Sequence, residues 1–318
     1  MNFLNLKYFL VAAEELNFTK AAKRLFISQQ SLSNHIMKLE EYYKVTLFDR
    51  NPPLTLTVAG SCLVKRAKEI LNIKSQTDKE IHDIKDFRSG QITIGVTHAR
   101  GTVILTSILP IYHETFPSIQ LHLFEGNSET IEEALHEGKV DLIVGFTPLD
   151  ISDVETVPLF EENFFLIVPK KVLMEQFPDT FEEVSEKLIK AVDFELIKNC
   201  PFILMDPNTK VGTFSSSVFN KAGISPHILL QTKNIETMLA LCREGMGIIF
   251  CPEIFITKSP AFSEPNVLSK IQICPLDNQN ARTNIAISYL KNKYVTQAAK
   301  KFITIACENM RRLPSGGD

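Results

Sequence analysis

Residues 19–50 read TKAAKRLFISQQSLSNHIMKLEEYYKVTLFDR. Ser28 has the short hydroxyl that accepts from a free N–H at a helix start, so a helix is expected from Gln29 to about Tyr43. Leu32, Ile36 and Leu39 recur at i, i+4 and i+7 and form its apolar face. The opposite face carries Gln29, Gln30, Ser33, Asn34 and Lys38, with no carboxylate before Glu40. Amides can bond bidentately to adenine and serine hydroxyls to several bases, so this face suits base edges in a major groove.

Working outward, Leu6, Phe9, Leu10, Ala13 and Leu16 predict an amphipathic helix over 3–16. A second short helix is expected over Lys20–Phe26, capped by Thr19, with Ala21-Ala22 permitting close helix contact. Two helices ahead of a polar-faced third one make a helix-turn-helix. Val45–Phe48 and Leu54–Leu56 then read as two short strands of a wing around Asp49–Pro53. Arg24, Lys38 and Arg50 surround the polar face and are the expected phosphate contacts.

Residues 3–60 resemble the N-terminal domain of LysR-type transcriptional regulators. The matching pieces are LKYFL, NFTKAAKRL, SQQSLSNHIMKLE, LFDR and LTVAG, in that family's order and spacing. Gln30 stands where the family usually has Pro, and Asn51-Pro52-Pro53 is a shorter, less basic wing. The resemblance implies binding to double-stranded DNA at an inverted-repeat operator, by a homodimer that commonly pairs again into a tetramer.

Thr57 caps a long helical pattern running to about Phe87. Its heptad positions are Leu63, Ala67, Ile70, Lys74, Thr77, Ile81, Ile84 and Arg88. Such a helix cannot bury its stripe alone: it either packs on the body or pairs with a second copy of itself, and beside a groove-reading helix the dimer is the economical reading.

From residue 89 the pattern alternates strand and helix. ITIGV (92–96), IQLHLFE (119–125) and DLIVGF (141–146) form one set; FFLIVP (164–169), PFILM (201–205), HILLQT (227–232) and GIIFCP (247–252) form a second. Helices are expected at 102–116, 128–138, 212–222 and 235–245. A further strand, TNIAISYL (283–290), and a helix over 296–311 close the chain. Near-continuous apolar strands predict parallel sheets covered on both faces. Residues 170–198 read as a charged, amphipathic insertion.

The expected architecture is therefore an all-α winged helix-turn-helix domain (1–58), a linker helix (59–88) and a two-lobed α/β effector domain (89–312). Lobe I is 89–162 with 267–312, lobe II is 163–266, and 313–318 is a tail. The body resembles the periplasmic-binding-protein-like effector domain of the same family. Hinges are expected near Glu161–Phe164 and Phe262–Leu268.

Ligands of open α/β sheets sit beyond the carboxyl ends of strands. The candidate effector residues are Thr97, His98, Arg100, Gly126, Ser128, Phe146, Asn208, Thr209, Lys233 and Asn234. Several precede helix N-termini, which favour anions, and Arg100 and Lys233 either add positive charge or merely neutralise neighbouring acids. A small anion, most simply a carboxylate, is the expected effector.

Net charge is −3, but residues 1–66 hold nine Lys/Arg against five Asp/Glu, leaving −7 for the rest. A basic segment on an acidic body implies different partners for the two parts. The N-terminus lacks a basic n-region, and no apolar run approaches the ~20 residues of a membrane span, so a cytoplasmic protein is expected. Six scattered cysteines without a CxxC fit free thiols in a reducing compartment. The chain has no GxGxxG after a strand, no P-loop, no GxSxG and no clustered metal ligands. An enzyme is not expected, nor any cofactor, metal or catalytic residue. A secreted solute-binding protein would leave residues 1–58 without a purpose.

Overall fold

Three short polar side chains start the first three helices. Asn2 Oδ1 accepts from Asn5 N–H at 2.9 Å, Asn17 Oδ1 from Lys20 N–H at 3.0 Å, and Ser28 Oγ from Ser31 N–H at 3.1 Å. Each cap contributes about 1 kcal/mol. The helices are α1 (Phe3–Glu15), α2 (Phe18–Arg24) and α3 (Gln29–Tyr43). The second cap is Asn17, not Thr19, so α2 begins two residues before the expected start. It also ends earlier, because Phe26 takes a left-handed backbone (φ 55°) in the turn to α3. The computed structural model describes residues 2–85, 90–148, 152–262, 265–276 and 282–310. It divides into two units, Met1–Phe87 and Arg88–Asp318.

In the first unit, Leu32, Ile36 and Leu39 of α3 are fully buried against Leu6 and Phe9 of α1 and Ala21 and Ala22 of α2. Each such large apolar side chain contributes roughly 1.5–3 kcal/mol. The wing strands are only two residues each, β1 (Phe48–Asp49) and β2 (Thr55–Leu56), paired antiparallel. Glu40 ties the end of α3 to this wing: Oε1 accepts from Leu47 N–H at 2.9 Å and Oε2 from Arg50 Nη2 at 2.8 Å.

Thr57 Oγ1 donates to the Thr46 carbonyl (2.8 Å) and accepts from Gly60 N–H (3.0 Å), starting α4 (Val58–Lys85). A Cβ at Gly60 would lie 2.1 Å from the Leu47 carbonyl oxygen. Only glycine lets the helix sit this close to the wing. The apolar stripe of α4 divides. Leu63 and Ala67 are buried in the core of this unit and Ile70 leans on it, whereas Ile73 and Ile81 are exposed. The start of the stripe thus packs on its own domain, one of the two arrangements the pattern allows, and the later apolar positions stay outward. Positions Ile84 and Arg88 and the tail 313–318 lie outside the described side chains.

The second unit holds β3 (Gly90–Thr97), α5 (His98–Arg100), a five-residue π turn (Gly101–Leu105), α6 (Thr106–Thr115), β4 (Ile119–Gly126), α7 (Ser128–His136), β5 (Leu142–Phe146) and β6 (Val154–Pro169). Three helices occupy the insertion: α8 (Lys170–Gln176), α9 (Phe181–Lys190) and α10 (Phe194–Ile197). Then come β7 (Phe202–Met205), α11 (Lys210–Ala222), β8 (Ile228–Thr232), α12 (Ile235–Arg243), β9 (Ile249–Pro252), α13 (Glu253–Lys258), α14 (Pro265–Lys270), β10 (Ile271–Pro275), β11 (Arg282–Leu290) and α15 (Gln297–Met310).

The large sheet runs β10-β6-β11-β5-β3-β4, with β9 also on β6; β7 and β8 form a second, parallel pair. β3 is parallel to β4 and β5, but β11 runs antiparallel to β5 and β6. The sheet is mixed rather than parallel, because the sixteen-residue β6 passes through both lobes. Its first part, to Asn163, pairs with β11; from Phe164 onward it pairs with β9 and β10. One switch of strand partners thus falls at Asn163–Phe164. The other is later than expected. Since β10 still pairs with the far half of β6, the chain crosses back after Pro275, and residues 267–275 belong with lobe II.

Candidate nucleic-acid face and ligand cavity

The core positions of α3 leave its polar residues outward. Gln29, Gln30, Asn34 and Lys38 are exposed and Ser33 is half-buried. Thr19, displaced from the capping role, donates its hydroxyl to Gln29 Oε1 at 3.2 Å and so steadies that side chain at the start of α3. His35 is braced from behind: Nδ1 lies 2.8 Å from Asn5 Oδ1, and Tyr8 packs edge-on at 4.7 Å.

Two of the expected phosphate contacts are already engaged. Arg24 Nη1 bridges Glu14 (2.8 Å) and Glu15 (3.0 Å), and its hydrogen bonds to Glu15 and then Glu14 raise its pKa. Arg50 pairs with Glu40. Both guanidiniums remain more than half exposed, so they can still reach a phosphate, but with their charge partly compensated. Exposed pairs of this kind are weak and screened by salt, so a phosphate can displace the carboxylates. Met37, exposed on the same helix, was not anticipated.

In the second unit a cavity of about 290 Å³ opens at the strand ends. Thr97, His98, Arg100, Gly126, Ser128, Phe146, Thr209, Lys233 and Asn234 line it. Asn208 does not: its N–H donates to Asp206 Oδ1 at 2.9 Å in a tight turn ahead of α11. Three capped helix N-termini face the cavity. Asn127 caps α7 through Thr130 N–H (2.8 Å), Thr209 caps α11 through Gly212 N–H (3.0 Å), and Asn234 caps α12 through Glu236 N–H (2.9 Å). Their partial positive charges converge on one space.

Arg100 departs most from expectation. The strand-end loop is in fact the first turn of a helix, and it turns Arg100 inward until only 3% remains exposed. Its Nη2 donates to Glu162 Oε1, with Glu162 equally buried. Its guanidinium lies over Phe146 (4.2 Å) and near Phe255 (5.6 Å). Arg100 is therefore not a free cation awaiting an anion, because a buried carboxylate already neutralises it. Among the described residues, Arg100 Nη1 and Glu162 Oε2 are the buried side-chain polar atoms without a hydrogen-bond partner. Lys233 Nζ is 3.9 Å from Asp206 Oδ2 and largely exposed, and His98 Nδ1 is 3.1 Å from Glu125 Oε1.

Sequence reasoning missed the apolar walls Met205, Val211, Ile235 and Phe255, and the charged Lys210 and Glu236. Phe255 follows the carboxyl end of β9, so the strand-end rule applied to Pro252 would have reached it. Among the described residues no cluster of His, Cys, Asp or Glu is arranged to hold a metal. None of the six cysteines is in a disulfide, and Cys200 is buried with its thiol pushed up to about 11 by desolvation.

A helix with an outward polar face in one unit and a cavity between two α/β lobes in the other are the parts expected of a ligand-responsive DNA-binding regulator. Residues 3–61 match the family described as bacterial regulatory helix-turn-helix protein, lysR family, and residues 85–311 match the LysR substrate binding domain. The chain belongs to the LysR family of transcriptional regulators, whose members bind DNA and respond to small molecules rather than act as enzymes. Among its relatives, the uncharacterized HTH-type transcriptional regulator YcgK of Bacillus subtilis is 26% identical over 320 residues, covering 98% of this chain and 96% of that protein. The HTH-type transcriptional regulator BsdA of the same organism is 26% identical over 311 residues, covering 96% and 100%. Two solved structures share the fold. A full-length OxyR variant from Pseudomonas aeruginosa has a TM-score of 0.65 at 21% identity, covering 98% of this chain and 95% of that one. CbnR, a LysR family regulator, has 0.64 at 20%, covering 98% and 99%.

Proposed function

We propose that Gln29, Gln30, Ser33 and Asn34 read base edges of an inverted-repeat operator, while Lys38, Arg24 and Arg50 position the unit on phosphates. The outward polar face of α3, free of carboxylates until its last turn, supports this. Lys38 carries most of the phosphate term, because Arg24 and Arg50 arrive partly neutralised. Two copies pair through the exposed part of α4 around Ile73 and Ile81, so that two half-sites are bound at once. The protein works in the cytoplasm. Among the described residues no helix is long and apolar enough to cross a membrane.

The 290 Å³ cavity holds the effector. Its anionic group, a carboxylate, lies on the lobe II side, where Lys210, Lys233 and the N-termini of α11 and α12 gather. Contacts to both lobes favour the arrangement in which they fit the ligand, and that differential affinity shifts the lobe equilibrium. The convergence of three helix N-termini on one cavity is the observation that carries this reading. Its test is operator binding by fluorescence anisotropy across a panel of small carboxylates, amines and neutral analogues, with Lys233→Ala beside wild type. A carboxylate should alter affinity or footprint in wild type and act weakly on the variant. Response confined to amines or neutral compounds would overturn the anionic assignment.

A further inference from the structure

A second, smaller space adjoins the main cavity between α7 and β5. Its volume is about 20 Å³, and Thr97, Arg100, Ser128, Glu132, Gly145 and Phe146 are among the residues around it. Thr97, Arg100, Ser128 and Phe146 line the main cavity as well, so the two spaces share a wall. A space of this size accommodates one water-sized group.

Three observations define what it takes. Arg100 is 3% exposed, yet its Nη1 has no hydrogen-bond partner. A buried donor left unmet is costly, and it marks a place for an acceptor. Phe146 under the guanidinium at 4.2 Å holds its plane in place. Gly145 supplies the room, since a Cβ built there would meet no atom within 4 Å. Charge sets the sign. Arg100 is already paired with the buried Glu162, and Glu132 borders the chamber. A second full anion here would leave excess negative charge in a poorly solvated place. An uncharged oxygen meets the donor without that cost.

We infer that the chamber beside Gly145 is a subsite for one uncharged oxygen of the effector, a carbonyl, amide or hydroxyl, accepting from Arg100 Nη1. The proposal rests on the reading of the main cavity as the effector site and divides that site. The charged end of the ligand faces Lys210 and Lys233, and an uncharged polar end enters the lobe I chamber. Gly145 then decides specificity, because a methyl group there occupies the space without displacing any neighbour.

Crystals of the full-length protein soaked in formamide, and separately in formate at the same concentration, test this. In wild type the formamide oxygen should lie within hydrogen-bond distance of Arg100 Nη1 inside the chamber, and formate should be absent from it. Gly145→Ala should melt at the wild-type temperature and lose the formamide. Formate in the chamber, water alone there in the formamide soak, or formamide retained by Gly145→Ala would each overturn the proposal. The soak addresses the chamber alone. Failure of carboxylates to affect operator binding would instead remove the reading of the main cavity and leave a positive soak standing.

Discussion

Substituting Glu162 by Ala isolates Arg100 in the interior. Both partners are at most 3% exposed, so water screens the pair little. After the change Arg100 loses its counter-charge and its Nη2 acceptor, while Nη1 is already unmet. Breaking a buried pair from one side costs about 3–5 kcal/mol, most of it the desolvated charge left behind. For a domain of this size each kcal/mol lowers Tm by roughly 2–4 °C. The melting temperature of the second unit should therefore fall by about 6–20 °C. Scanning calorimetry of the full-length protein reads this directly. Arg100→Leu combined with Glu162→Leu removes both charges and should recover most of the loss, because an apolar replacement of a buried pair is often neutral. A Glu162→Ala protein that melts within 2 °C of wild type (below the roughly 2–4 °C expected for even 1 kcal/mol) would show that the pair is solvated, and Arg100 would then not be a buried, neutralised cation.

Gln29→Ala should weaken specific operator binding by about 1–3 kcal/mol and leave random DNA nearly unaffected, as measured by anisotropy. Equal weakening on both would mean that Gln29 does not read bases. Lys38→Ala should lower affinity for all sequences and reduce the salt slope by about one, with a smaller change for Arg24→Ala because Glu14 and Glu15 already hold it. Gly60→Ala should destabilise the first unit by more than about 1 kcal/mol, since its Cβ would overlap the Leu47 carbonyl at 2.1 Å; an unchanged melt would refute that contact. The pH dependence has a definite sign. Burial pushes the Cys200 and Cys274 thiols from about 9 to about 11, so the folded state holds these protons more tightly than the unfolded chain. Their stabilising contribution is complete below pH 9 and declines as pH rises from 9 toward 11, which urea titrations across that range would show. A flat profile would place these thiols in contact with water.

Much of the first unit was legible because its signals are local. The Ser28 cap and the Leu32, Ile36, Leu39 spacing are decided within one helix, and both are seen as expected. The cap of α2 was misplaced because Asn17 and Thr19 are both good caps; the earlier start comes with Phe18 packed against Phe48 (5.2 Å) and Thr19 bonded to Gln29, contacts that the local sequence does not show. Strand order was not legible. An apolar run such as FFLIVP does not say that it continues a longer strand shared by two lobes, nor that β11 returns antiparallel beside it. At the cavity the strand-end rule reached about half of the lining, since capping residues announce themselves. It could not see Glu162, which lies 62 residues from Arg100 and meets it only through the fold. That pairing reverses the electrostatic role of Arg100, and no local pattern carries it.

Whether the outward face of α3 reads DNA sequence is open to direct measurement. Fragmented genomic DNA is selected on the purified full-length protein and sequenced, with wild type and a Gln29→Ala, Gln30→Ala double variant run together. Wild type should enrich an inverted repeat. The double variant should lose enrichment at the half-site bases while weak, salt-sensitive retention of DNA persists. Recovery of the same repeat with equal enrichment by both proteins would contradict this, because the specificity would then lie outside this helix face.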